Sequence, residues 1–155
     1  MSGGPVVTAL QAALAAEHAA VYGYGVAGAH MTGKRQAAAQ RDWNEHQQAR
    51  DALVSLLQAR GAAPVAAASS YRLPFGVRSA RAAVSLAALL EDRVTTAYLG
   101  LVGLTDPALR SFGARAVQAA ALRATAWRRQ TVAFPGLSPS GRAAGTGSPR
   151  PAAAP

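Results

Sequence analysis

The chain has 155 residues, half of them hydrophobic and none of them cysteine, which fits one domain and excludes disulfides, thiolate metal sites and cysteine nucleophiles. Isoleucine is absent and alanine makes up about a quarter of the chain, a bias toward helix and away from strand that predicts an all-α fold. The formal net charge is +9, but the arginines are dispersed and no basic block alternates with aromatics, so nucleic-acid binding is not expected.

Four helices are predicted. The first runs from about Pro5, a residue suited to the first turn, to His30. Leu10, Leu14, Glu17, Val21, Tyr24 and Gly28 recur at spacings of three and four and share one face. Gly33 breaks the run. The second helix spans about Lys34 to Arg60, with Ala39, Trp43, His46, Ala49, Leu53 and Leu56 on its inner face. Gly61 and Pro64 end it. The third begins after Ser79, a residue suited to an N-cap, and its stripe is Ala80, Val84, Ala87, Glu91, Val94, Tyr98 and Leu101. The fourth begins with Asp106 as N-cap and Pro107 just inside, and extends to about Ala133. Leu109, Phe112, Ala116, Ala120, Arg123 and Trp127 form its inner face.

The links between helices one and two, and between three and four, are short, which makes those pairs antiparallel neighbours. About eighteen residues, Gly61 to Arg78, separate helices two and three, enough to run back along a bundle. Two antiparallel hairpins joined by one long crossover is the connectivity of ferritin-like four-helix bundles. The bundle is expected to occupy residues 5–137. Residues 138–155, rich in Pro, Ala, Gly and Ser, are expected to form a disordered tail. No apolar run is long enough to cross a membrane, and Met1-Ser2-Gly3-Gly4-Pro5 lacks the basic start of a secretory signal, so a cytoplasmic location is expected.

Gly23-Tyr24-Gly25-Val26-Ala27-Gly28 matches the dinucleotide-binding fingerprint in its letters. That motif must follow a strand, and the preceding Ala9–Leu14 is helical, so the match is rejected. The glycines then need another reason, since each costs about 1 kcal/mol against alanine inside a helix. Either a neighbouring helix approaches closely, or space is left for a ligand.

Three ionisable residues fall on inner faces, each near the middle of its helix: Glu17, His46 and Glu91. Mid-helix positions share one level in a bundle, so the three are expected to converge. Each buried charge then requires a partner. A di-iron or di-manganese centre draws one Glu from each of two helices and a Glu-x-x-His from each of the other two. Here Trp43 stands three residues before His46, and Ala120 and Arg123 occupy the matching level of helix four. Two arrangements remain. In one, Arg123 forks between Glu17 and Glu91 within a buried polar cluster of Glu17, His46, Glu91 and Arg123, and no cofactor is required. In the other, Glu17, His46 and Glu91 hold iron or manganese. Tyr24 and Tyr98, each seven residues beyond a stripe carboxylate, are expected to be core aromatics.

Ala16-Glu17-His18-Ala19-Ala20-Val21-Tyr22-Gly23-Tyr24-Gly25 resembles the opening of an actinobacterial ferritin-like domain family of unknown function. Further resemblances lie in His46 with Arg50-Asp51-Ala52-Leu53, Tyr71-Arg72-Leu73-Pro74, Leu90-Glu91-Asp92 with Ala97-Tyr98, Arg123-Ala124 with Trp127-Arg128, and Phe134-Pro135-Gly136-Leu137. The resemblance spans about Val6 to Leu137 and implies a ferritin-like bundle without a known activity. The favoured functional reading is a non-catalytic binding or structural module whose metal centre has given way to a polar cluster. Its partner would be an unidentified protein or small-molecule ligand, with a homodimer through helices one and two. The alternative is a metal-dependent oxidoreductase or metal-binding protein using Glu17, His46 and Glu91.

Overall fold

The computed structural model describes residues 4–129. The expected tail at 138–155 and residues 130–137 of the expected bundle lie outside them; the fourth helix, expected to reach about Ala133, stops at Arg128, where Arg129 turns into the left-handed conformation at φ 56°. The described residues form four helices and no strand: α1 (Pro5–Ala29), α2 (Gly33–Gln58), α3 (Ala80–Val102) and α4 (Pro107–Arg128). None is long and apolar enough to cross a membrane.

Local chemistry accounts for most helix ends. Pro5 opens α1, where its missing N–H costs nothing. The Ser79 hydroxyl accepts from the Ala82 N–H at the start of α3. Asp106 caps α4 by accepting from Ala108 N and Leu109 N at 2.8 and 3.1 Å, with Pro107 in the first turn. At the end of α2, Gly61 adopts φ +67°, the left-handed conformation that glycine enters without a Cβ penalty. Its N–H reaches Gln58 O and that of Ala62 reaches Leu57 O, the two bonds of a Schellman cap.

The contacts fix the helix directions. Along the α1–α2 seam, Glu17 meets His46, Val21 meets Trp43 and Gly28 meets Ala39, so the helices are antiparallel. Ala9 approaches Gly100, Glu17 meets Tyr98 and Gly23 meets Leu90, so α1 and α3 are antiparallel too. Leu101 lies against Gly113 and Glu91 against Arg123, so α3 and α4 also run in opposite directions. The connecting residues 59–79 contain no helix or strand and lie along α1. Gln11 bonds Ala63 O and Val65 N, His18 Nε2 meets Val65 O, and Tyr22 packs on Tyr71. By contrast α2 and α4 do not pack closely on one another.

The core consists of two apolar clusters with a polar layer between them. One gathers Leu10, Leu14, Leu53, Leu57, Tyr98, Leu101 and Leu109, the other Tyr24, Met31, Ala39, Leu86 and Leu90. On α2 the buried leucine of the last turns is Leu57, whereas Leu56 from the expected stripe is half-buried. On α4 the fully buried residues are Leu109, Gly113, Ala120 and Ala124, so the face is rotated slightly from the expected one.

That rotation reflects small residues facing α3. A Cβ on Gly113 would stand 2.7 Å from Leu101 Cβ and 3.2 Å from both Tyr98 O and Val102 N. Gly23 likewise faces Leu90, so close helix approach, not ligand space, accounts for it. Gly113→Ala is expected to destabilise by about 2 kcal/mol in urea unfolding, because overpacking against backbone outweighs the gain in helix propensity. Gly25→Ala, with nothing within 4 Å of the added carbon, is expected to stabilise by up to about 1 kcal/mol.

Candidate functional site

Between the two apolar clusters, α1, α2 and α3 bring Glu17, His46 and Glu91 together, each at most 1% exposed. His46 is the bridge. Its Nδ1 lies 2.6 Å from Glu17 Oε2 and its Nε2 lies 3.0 Å from Glu91 Oε1. A carboxylate oxygen faces each ring nitrogen, so the doubly protonated imidazolium satisfies the arrangement. Burial alone would push the His46 pKa down. Hydrogen bonds to Glu17 and Glu91, and the charges of both, override it and raise the value to about 9.

Two tyrosines complete the layer. Tyr24 Oη donates to Glu91 Oε1 at 2.5 Å and Tyr98 Oη donates to Glu17 Oε1 at 2.8 Å. The pairing is crossed: each phenol serves the carboxylate of the other helix. Antiparallel packing of α1 and α3 allows this, since each tyrosine lies seven residues beyond its own helix's glutamate. Burial, and then the nearby carboxylates, push both phenol pKa values far above the usual tyrosine range, so both remain donors. The sequence expectation of core aromatics missed this role, although the equal spacing of Glu17–Tyr24 and Glu91–Tyr98 was its signal.

Arg123 reaches the layer from α4, but not as a fork between Glu17 and Glu91. Its Nε donates to Glu91 Oε1 at 2.9 Å and its Nη1 to Glu45 Oε2 at 2.8 Å, on the half-open α2–α4 side. Glu17 is occupied by His46 and Tyr98 instead. The expectation assumed that α4 projects Arg123 to the bundle axis. The helix instead sets it at the seam with α2, where its side chain keeps 17% exposure. Burial raises the Glu91 pKa, but His46 and then Arg123 outweigh it, and the carboxyl is held below its ordinary value.

Asp42 and Trp127, which the sequence did not place in a cluster, extend the network outward. Trp127 Nε1 lies 2.9 Å from both Tyr24 Oη and Asp42 Oδ2. Burial raises the Asp42 pKa against the opposing Trp127 bond.

The donor set does not fit a metal ion. Both His46 nitrogens and both Glu17 oxygens are already engaged, and a guanidinium nitrogen lies on Glu91 Oε1. The only buried side-chain nitrogen or oxygen without a partner among the described residues is Glu91 Oε2, a single ligand atom. Among the described residues no group of three or more His, Asp or Glu side chains is arranged to hold a metal. Trp43, where a di-metal motif needs Glu, donates to Val21 O.

A family profile described as a domain of unknown function (DUF4439) matches residues 9–139. The chain belongs to the DUF4439 family. This DUF4439 protein is also similar to a solved structure, a conserved hypothetical protein, rv2844, from Mycobacterium tuberculosis. The two are 34% identical, with 83% of this chain and 98% of that chain covered and a TM-score of 0.79. No curated protein matches it.

Proposed function

We propose that this DUF4439 protein is a ferritin-like four-helix module that binds rather than catalyses, with an ion-pair layer standing where related bundles keep a metal centre. The ferritin-like reading with one crossover is supported by the three antiparallel helix pairs and by the connecting segment lying along α1. The observation that carries the functional reading is His46 between Glu17 and Glu91. An imidazolium there, with Arg123 on Glu91, supplies the positive charge that a metal would otherwise bring.

Protein purified without chelators is therefore expected to contain far less than one equivalent of iron or manganese, and EDTA is expected to leave its Tm unchanged. Near-stoichiometric metal, lost in His46→Ala, would overturn the reading in favour of a metal-dependent activity.

A further inference from the structure

Because α2 and α4 stand apart, their seam forms a groove of about 250 Å³ that ends on the polar layer. This is just below the ~300 Å³ at which ligand pockets begin, so an occupant must be compact. Lys34, Arg35 and Arg41 from α2 and Arg129 from the end of α4 line it, and none of the four makes an ion pair among the described residues. Arg123 also borders it. Its Nη2 makes no hydrogen bond among the described residues, while Nε and Nη1 hold Glu91 and Glu45.

One wall is aromatic and held in place. The Trp127 indole lines the groove, and its Nε1–H is fixed inward by Tyr24 and Asp42. A pinned indole beside several guanidinium groups offers a flat apolar surface next to concentrated positive charge. Asp42 is the one acidic residue of the lining, and it is engaged by Trp127.

We propose that this groove binds a small phosphorylated molecule with an aromatic body, the phosphate held by Arg35, Arg41 and neighbouring cations and the ring against Trp127. The proposal names the ligand class for the binding module above and rests on that reading. A dianion matches the excess of cations better than a single carboxylate does. The chain's own residues 130–155 are a poor occupant on charge, since they contain Arg142 and Arg150 and no Asp or Glu.

The test uses the full chain, with phenyl phosphate as probe and inorganic phosphate and benzoate as comparisons. The chain has two tryptophans, so the Trp127 indole N–H signal can be followed beside that of Trp43 by NMR. Phenyl phosphate is expected to shift the Trp127 signal saturably and to bind at least tenfold tighter than either comparison. The double variant Arg35→Ala/Arg41→Ala is expected to weaken it at least tenfold. Arg110→Ala/Arg115→Ala removes the same charge at ~18 Å or more along α4 from Trp127 and is expected to change it less than twofold. Equal weakening by both double variants, equal affinity for inorganic phosphate, or no Trp127 shift would overturn the proposal. A metal-loaded protein that still binds phenyl phosphate in this groove would overturn the non-metal reading and leave the groove assignment standing.

Discussion

His46→Ala is expected to destabilise the protein by about 3–5 kcal/mol, measured as the change in unfolding free energy from urea melts at pH 7. Among the described residues the imidazolium is the one cation that touches both Glu17 and Glu91 inside the core. Removing it leaves two carboxyl groups buried close together, where like charges disfavour joint ionisation, and strands the charge that remains. It also opens a cavity beside Tyr24, whose ring centroid lies 5.1 Å from that of His46. Arg123→Ala is expected to cost less, about 2 kcal/mol, because one of its two partners is the largely exposed Glu45 and water can enter the α2–α4 seam. A loss below about 1 kcal/mol for His46→Ala, or a reversed order of the two variants, would contradict the ion-pair layer.

Alkaline pH is expected to remove about 3 kcal/mol of stability through the same residue. The folded His46 pKa of about 9 lies above the ordinary 6.5, so the folded state holds its proton more tightly. That contribution is fully present below pH 6.5 and is lost as pH rises through about 9. Tyr24 and Tyr98 act in the same direction at higher pH. Their folded pKa values are raised, so the unfolded state releases phenol protons first, above about pH 10. Glu91 acts at the other end. Its lowered pKa means stability present above about 4.5 and lost as acid protonates the folded carboxylate, while the raised Asp42 pKa acts oppositely in the acidic range. The measurement is a series of urea melts from pH 6 to about 11, repeated with His46→Gln. In that variant the decline between pH 6.5 and 9 should vanish and only the tyrosine limb remain. The same slope in both proteins would assign it elsewhere.

Much of the helical framework was legible in the sequence because its causes are local. Asp106 followed by Pro107 defines a helix start through bonds within four residues, and Ser79 does the same for α3. Gly61 stops α2 through one positive φ. The meeting of Glu17, His46 and Glu91 was also legible, since a polar residue in mid-stripe must face the axis and mid-helix positions share a level. What each side chain bonds to was decided by tertiary packing. A rotation of α4, set by Gly113 pressing on α3, moves Arg123 to the α2 seam and onto Glu45 instead of Glu17. The antiparallel contact of α1 and α3 hands Tyr24 to Glu91 and Tyr98 to Glu17, and the separation of α2 from α4 creates the basic groove. Hydrogen bonds are sensitive to changes of about 1 Å, whereas periodicity locates only a helical face, so partner choice and groove shape came from how the four helices pack.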